Sequence, residues 1–241
     1  MYSLTKFTLS DMTECGAVLR KLGVGATSME EVANRAVQYL YDHFLDEHTG
    51  EPALALARFF KTHPYAKLSE PLHAIAQTLE GHHAISPGTP CLTLLATTGQ
   101  KPEWRSRQAS TGHQVIPLVS EQLVAQSPMI SQLIQQFGLD VSTVLSPNPD
   151  LLVDLEQKTF NVFHVANAIA SPYVPAQDSF VVPYGIRSVL GFGGMLPSGN
   201  LIAIILFSKV FISRDTAAMF KTLALNVKMA ALPFDRGQVF A

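Results

Sequence analysis

Apolar residues recur along the first forty positions at the three- and four-residue steps of a helix. Between Asp11 and Leu22, the side chains of Met12, Cys15, Val18, Leu19 and Leu22 fall on one face, and Gly23 is placed to end the helix. After the Gly25-Ala26-Thr27 break, Ser28 and Glu31 form a Ser-x-x-Glu capping box that opens a second helix. Met29, Val32, Ala33, Ala36, Val37 and Leu40 give that helix a core-facing stripe. Ala53 to Lys61 follows the Gly50-Glu51-Pro52 breaker and reads as a strand, despite Ala and Leu having little strand preference. A short helix over Pro71 to Leu79 and a loop over Gly81 to Pro90 lead to a second strand, Cys91 to Thr97.

Trp104 to Gly112 is polar and turn-rich. Gln114 to Leu118 carries Pro117 and reads as an edge strand, where a missing backbone donor is tolerated. Met129 to Phe137 has helical spacing, ends at Gly138, and is expected to cover one face of the sheet. Ser146-Pro147-Asn148-Pro149 marks a turn, and Leu151 to Leu155 reads equally as helix or strand. Phe160 to Val165 has apolar residues on both alternating faces, and Pro172, Pro175 and Pro183 exclude a long regular element after it. The clearest pattern comes last. Ile186 to Met195 and Leu201 to Ser208 form a strand hairpin about the Pro197-Ser198-Gly199-Asn200 turn, and a helix runs from Ser213 to Leu232. Ala217, Phe220, Leu223, Ala224, Val227, Ala230 and Ala231 share one side of that helix, with Lys221 and Lys228 away from it.

The chain has 241 residues, so one elaborated domain over 1–241 is the expectation. Lys plus Arg number 17 against 19 Asp plus Glu, a formal charge of −2, which leaves no basic excess for a nucleic-acid backbone. The basic cluster of Lys101, Arg105 and Arg107 also holds Glu103 and reads as a solvated loop. No apolar run reaches the roughly 20 residues of a membrane-spanning helix, and Met1 to Ser10 has no secretory pattern. Two cysteines, Cys15 and Cys91, with no Cys-x-x-Cys spacing, fit the reducing cytoplasm and exclude a zinc knuckle.

Arg187-Ser188-Val189-Leu190, Leu196 to Ile205 and the Phe220-Lys221-Thr222-Leu223-Ala224-Leu225-Asn226-Val227 helix together resemble a GAF domain of bacterial signalling proteins, the regulatory module of sensor histidine kinases. The resemblance is best over Phe180 to Leu232, weaker over Asp11 to Thr97, and interrupted by an insertion-rich middle, 62–175. It implies an α+β fold, an antiparallel sheet with terminal helices on one face and a ligand cavity on the other. It further implies a non-catalytic sensor that binds a small molecule and signals through those helices to a histidine kinase or other output domain. The stripe of the closing helix reads either as packing on its own sheet or, with the helix from Asp11, as also pairing with a second copy to form a homodimer. A covalent bilin would require a pocket cysteine, often followed by histidine, whereas Cys15 precedes Gly16 and Cys91 precedes Leu92. No counterpart of the cyclic-nucleotide motif is present.

Within this reading the pocket is lined from the hairpin, from Phe160 to Val165 and from the proline-rich loop, with Phe163, His164, Tyr173, Tyr184 and Arg187 as ligand-binding candidates. His164, set among Phe160, Phe163 and Val165, has the surroundings of an axial haem ligand and equally those of a buried histidine bonded to a carbonyl. The other seven histidines lack metal-ligand spacing. A protein-interaction domain without a ligand is one alternative. Another is a small serine hydrolase built on Ser110, His113 and Asp140, although Ser110 is not in a Gly-x-Ser-x-Gly elbow. Gly191-Phe192-Gly193-Gly194 precedes a strand, not a helix, so its glycines are read as permitting a bulge or a close backbone approach rather than phosphate binding.

Overall fold

The computed structural model describes residues 1–80, 85–110, 112–147 and 162–241. The start of the Gly81 to Pro90 loop, the Leu151 to Leu155 segment and Phe160 lie outside the described residues. Helices α1 (Leu9–Lys21) and α2 (Met29–His43) precede β1 (Leu54–Pro64), α3 (Glu70–Glu80), β2 (Pro90–Gly99) and β3 (Val115–Pro117). Three short helices follow, α4 (Glu121–Ala125), α5 (Pro128–Gln136) and α6 (Val141–Leu145). The chain then forms β4 (Val162–Val165), β5 (Ser188–Met195), β6 (Leu201–Ser208) and α7 (Arg214–Ala231).

Among the described residues six strands make one sheet in the order β3-β2-β1-β6-β5-β4, and each of their pairings is antiparallel. β3 is an edge strand, as its proline requires. Helices α1, α2 and α7 cover one face, over a core that contains Leu40, Phe59, Phe192, Ile204, Leu206 and Phe220. The opposite face carries a second core, with Leu56, Phe60, Phe163, Ile205 and Phe207 from the strands and Leu133, Ile134 and Phe137 from α5. With apolar layers on both sides, β6 has no polar face, and its continuous run of Leu, Ile and Ala follows. This is the expected α+β arrangement, an antiparallel sheet with the terminal helices on one face.

Local chemistry explains the helix ends. Thr8 and Asp11 form a reciprocal capping box that starts α1 two residues before the expected Asp11. Ser28 caps α2 by accepting from the Glu31 amide at 3.1 Å, but the other half of the expected box is displaced: Glu31 Oε2 accepts from the Thr27 amide at 2.8 Å. Arg35, one turn on, pairs with Glu31 and donates to the Leu22 and Val24 carbonyls, holding that carboxylate on the loop side. The first amides of α2 are satisfied by the far end of the chain, Met29 N–H donating to the Gln238 carbonyl and Glu30 N–H to the Val239 carbonyl.

Ser213 caps α7, and the whole stripe from Ala217 to Ala231 is buried. Lys228 corrects the expectation that it faces away, because it is itself buried beside that stripe. Its positions four residues after Ala224 and three before Ala231 bring it close to both, and a long stem can lie along apolar neighbours. Gly193 makes the close approach expected of the glycine cluster: a Cβ there would sit 2.0 Å from the Ile202 carbonyl oxygen.

Candidate functional site

On the sheet face opposite α1, α2 and α7 lies a cavity of about 590 Å³. Its floor is built from alternate residues of the central strands: Leu56, Arg58 and Phe60 of β1, and Leu201, Ala203, Ile205 and Phe207 of β6. Strand periodicity places these on one side while Ala57, Phe59, Ile204 and Leu206 pack beneath the helices. α5 supplies Met129, Ile130, Leu133 and Ile134 to a wall, and Val174 to Phe180 supplies the opposite one. The expectation that α5 covers the sheet is met, and its Gln136 Oε1 accepts from the His164 amide of β4 at 2.8 Å.

The proline-rich segment is ordered by a side chain that sequence inspection did not single out. Gln177 accepts from the Ala170 amide at 2.8 Å and donates to the carbonyls of Val174 (2.7 Å) and Ala168 (3.0 Å). A single π-helical turn, Gln177–Val181, follows, with Ala176 before it in the left-handed region at φ 58°. This turn aims Phe180 inward, edge-on to Trp104 (5.6 Å between ring centres) and to Phe207 (5.0 Å). Tyr184 meets Trp104 at 4.8 Å, and the Lys101 ammonium lies 5.5 Å and 5.0 Å from the Trp104 and Tyr184 ring centres.

One cation stands at the floor. Arg58 lies mid-strand, paired across to Thr97 and Ile205, and is only 8% exposed. Among the described residues its guanidinium makes one hydrogen bond, from Nη2 to Ser110 Oγ at 3.2 Å, and its Nε is buried without a partner. No carboxylate among the described residues pairs with it, and burial pushes its pKa down to about 10, so the group stays charged at neutral pH. His113 also lines the cavity, with left-handed backbone (φ 57°), and burial followed by the Arg58 charge lowers its pKa.

Of the five candidates, Tyr184 alone is in the cavity wall. Phe163 is fully buried in the core of the same face, and Tyr173 and Arg187 are exposed outside the lining. His164 points to the other side of the sheet, where its Nε2 donates to the Ile212 carbonyl at 2.9 Å, the carbonyl-bonded arrangement. Cys15 and Cys91 are buried away from the cavity lining, and burial pushes the Cys15 thiol up to about 12. No cluster of three metal-ligating side chains occurs among the described residues.

The Ser110, His113 and Asp140 set does not assemble as a triad. Ser110 Oγ is engaged by Arg58 and faces the Gly112 carbonyl, while Asp140 is exposed at the start of α6. The basic cluster expected to be a solvated loop is divided between two tasks. Lys101 stacks on the cavity aromatics, and Arg107 pairs at 2.6 Å with Glu30, a buried carboxylate of α2. Arg58 was missed because its strand reads as continuous core. A guanidinium inside an apolar run is the signal that marks it.

The two-sided packing and the cavity define an α+β architecture with a largely apolar chamber that holds one buried cation, Arg58. No protein-family model and no curated protein sequence match the chain. Among solved structures it is similar to the free methionine-R-sulfoxide reductase of Neisseria meningitidis in complex with its substrate, at 10% identity over 94% of this chain and 96% of that one, with TM-score 0.46. It is also similar to the GAF domain of a phosphoenolpyruvate-protein phosphotransferase from Coxiella burnetii, at 12% identity over 93% of each chain, TM-score 0.44. The GAF domain of the corresponding Acinetobacter protein is 12% identical over 91% of this chain and 92% of that one, TM-score 0.43.

Proposed function

We propose that the protein is a non-catalytic sensory or regulatory module that binds a small, mostly apolar molecule in the chamber and signals through its terminal helices. The observation that carries this reading is the cavity itself, about 590 Å³ with apolar walls and few polar groups, within the size range of small-molecule sites. Its floor strands also form the bed of the helix layer. β6 alternates Ala203, Ile205 and Phe207 into the chamber with Ile204 and Leu206 under the helices, and Phe192 of β5 meets Phe220 of α7 at 5.2 Å. A ligand that shifts β6 therefore acts on the seat of α7. A cytoplasmic setting, and an output domain such as a histidine kinase, belong to the same reading.

Homodimerisation through the terminal helices is part of this proposal. The stripe from Ala217 to Ala231 is consumed by the chain's own core, but Leu225, Met229 and Leu232 form a separate exposed apolar row. Sedimentation of the protein against the Leu225→Glu, Met229→Glu double variant tests this, with loss of the dimer expected.

The test of ligand binding is mass analysis of small molecules extracted from purified protein, paired with Ala203→Trp, which fills the floor. Recovery of the same molecule from both proteins would place binding outside the chamber.

A further inference from the structure

We propose, resting on the chamber being a ligand site, that its ligand is an amphipathic monocarboxylate whose carboxylate is held by Arg58 and whose aromatic or alkyl body lies against Trp104, Phe180 and Phe207. A buried charge without a partner costs far more than a neutral residue would, and a strand packed on both faces has no structural use for one. Arg58 occupies that position. Its one hydrogen bond among the described residues, to Ser110, orients the planar fork, and the fork's remaining donors match a carboxylate. Apart from His113 beside it, most of the lining is apolar, so the complementary molecule has one anionic end and a hydrophobic remainder.

The charge count selects a single negative charge. Lys101, the other cation of the lining, is 42% exposed at its side chain and already lies 3.6 Å from Glu103. His113 is held neutral by burial and by Arg58, so it offers a hydrogen bond and no second charge. Arg58, with no carboxylate partner among the described residues, balances a carboxylate and leaves a phosphate dianion short by one. The left-handed backbone at His113, preceded by Gly112 at φ 80°, keeps that imidazole at the lining beside Arg58.

The experiment measures binding of indole-3-butyrate and 4-phenylbutyrate by calorimetry on the full chain, each against its primary amide, with inorganic phosphate as a further ligand. The amide keeps the shape and removes the charge. Expected is at least a tenfold preference for acid over amide in the native protein, reduced to parity in Arg58→Gln and partly kept in Arg58→Lys. Circular dichroism confirms that both variants are folded. A preference for the acid that survives Arg58→Gln, equal binding of acid and amide, tighter binding of inorganic phosphate than of either acid, or no binding of either acid overturns the carboxylate assignment. Uptake of the neutral dye Nile red, blocked by Ala203→Trp, separates those outcomes from failure of the chamber itself. If the dye enters and the acids show no preference, the ligand site stands and its anion does not. If the dye is excluded, both fall.

Discussion

His164 of β4 donates from its Nε2 to the carbonyl of Ile212, one residue before the Ser213 cap of α7, over 2.9 Å. The bond ties an edge strand of the sheet to the root of the terminal helix. Ser188 of β5 reinforces it, its Oγ accepting from the Ile212 amide at 3.0 Å and donating to the Ala166 carbonyl at 2.8 Å.

His164→Ala removes a half-buried hydrogen bond and is expected to cost about 1–2 kcal/mol. Because the ring lies on the helix side of the sheet, Nile red uptake by the chamber is expected to be unchanged. Urea unfolding and dye titration of the same variant check both parts, and a loss of uptake at full stability would return His164 to the ligand site.

Arg58→Met replaces a buried guanidinium, without a carboxylate partner among the described residues, with an apolar side chain of similar length. The ligand-free variant is expected to be more stable by about 1–3 kcal/mol, since polar sites kept for function are held at the expense of stability. Denaturant midpoints decide it. A loss of stability would show that the guanidinium holds the fold together instead of waiting for a ligand.

Gly193→Ala places a methyl group 2.0 Å from the Ile202 carbonyl oxygen, and backbone cannot rotate aside as a side chain can. The expected loss is about 3 kcal/mol or more, at the upper end for overpacking. Thermal melting of the variant checks it. The β5–β6 pairing joins Gly193 to Ala203 in the chamber floor, so dye uptake is expected to fall with it.

Acid is expected to weaken the protein through His63. Burial, followed by the Lys61 charge, pushes its pKa down to about 4 from the 6.5 of a free imidazole. Between these values the unfolded chain binds more protons than the folded one, so stability rises with pH across the window. The contribution is full above about pH 6.5 and is lost as pH falls towards 4, amounting to on the order of 2–3 kcal/mol. Unfolding midpoints at pH 7 and pH 5 measure the slope, and His63→Leu is expected to flatten it.

Much of the architecture was legible along the chain. The α2 stripe, the hairpin about Gly199, the edge position of β3 and the buried side of α7 each follow from a local period, a turn residue or a cap. His164 shows where that reading stopped. The alternation of β4 places it opposite Phe163 and Val165, but which side of a sheet with two apolar faces holds the cavity is not written in a four-residue strand. Gln177 was equally hidden, because its side-chain bonds reach backbone groups in an irregular loop that has no period.

By itself the sequence determined most of the strands and helices, because these depend on side-chain spacing within a few residues, while the antiparallel α+β class followed from the family resemblance. Tertiary structure alone decided the site. Arg58, Ser110, Trp104, Phe180 and Phe207 come from β1, the segment between β2 and β3, the proline-rich turn and β6, and only the β2-β1-β6 strand order brings them together. Such pairings join residues up to about 150 positions apart, and the free energy that selects them lies in burial of both sheet faces, which no local pattern contains.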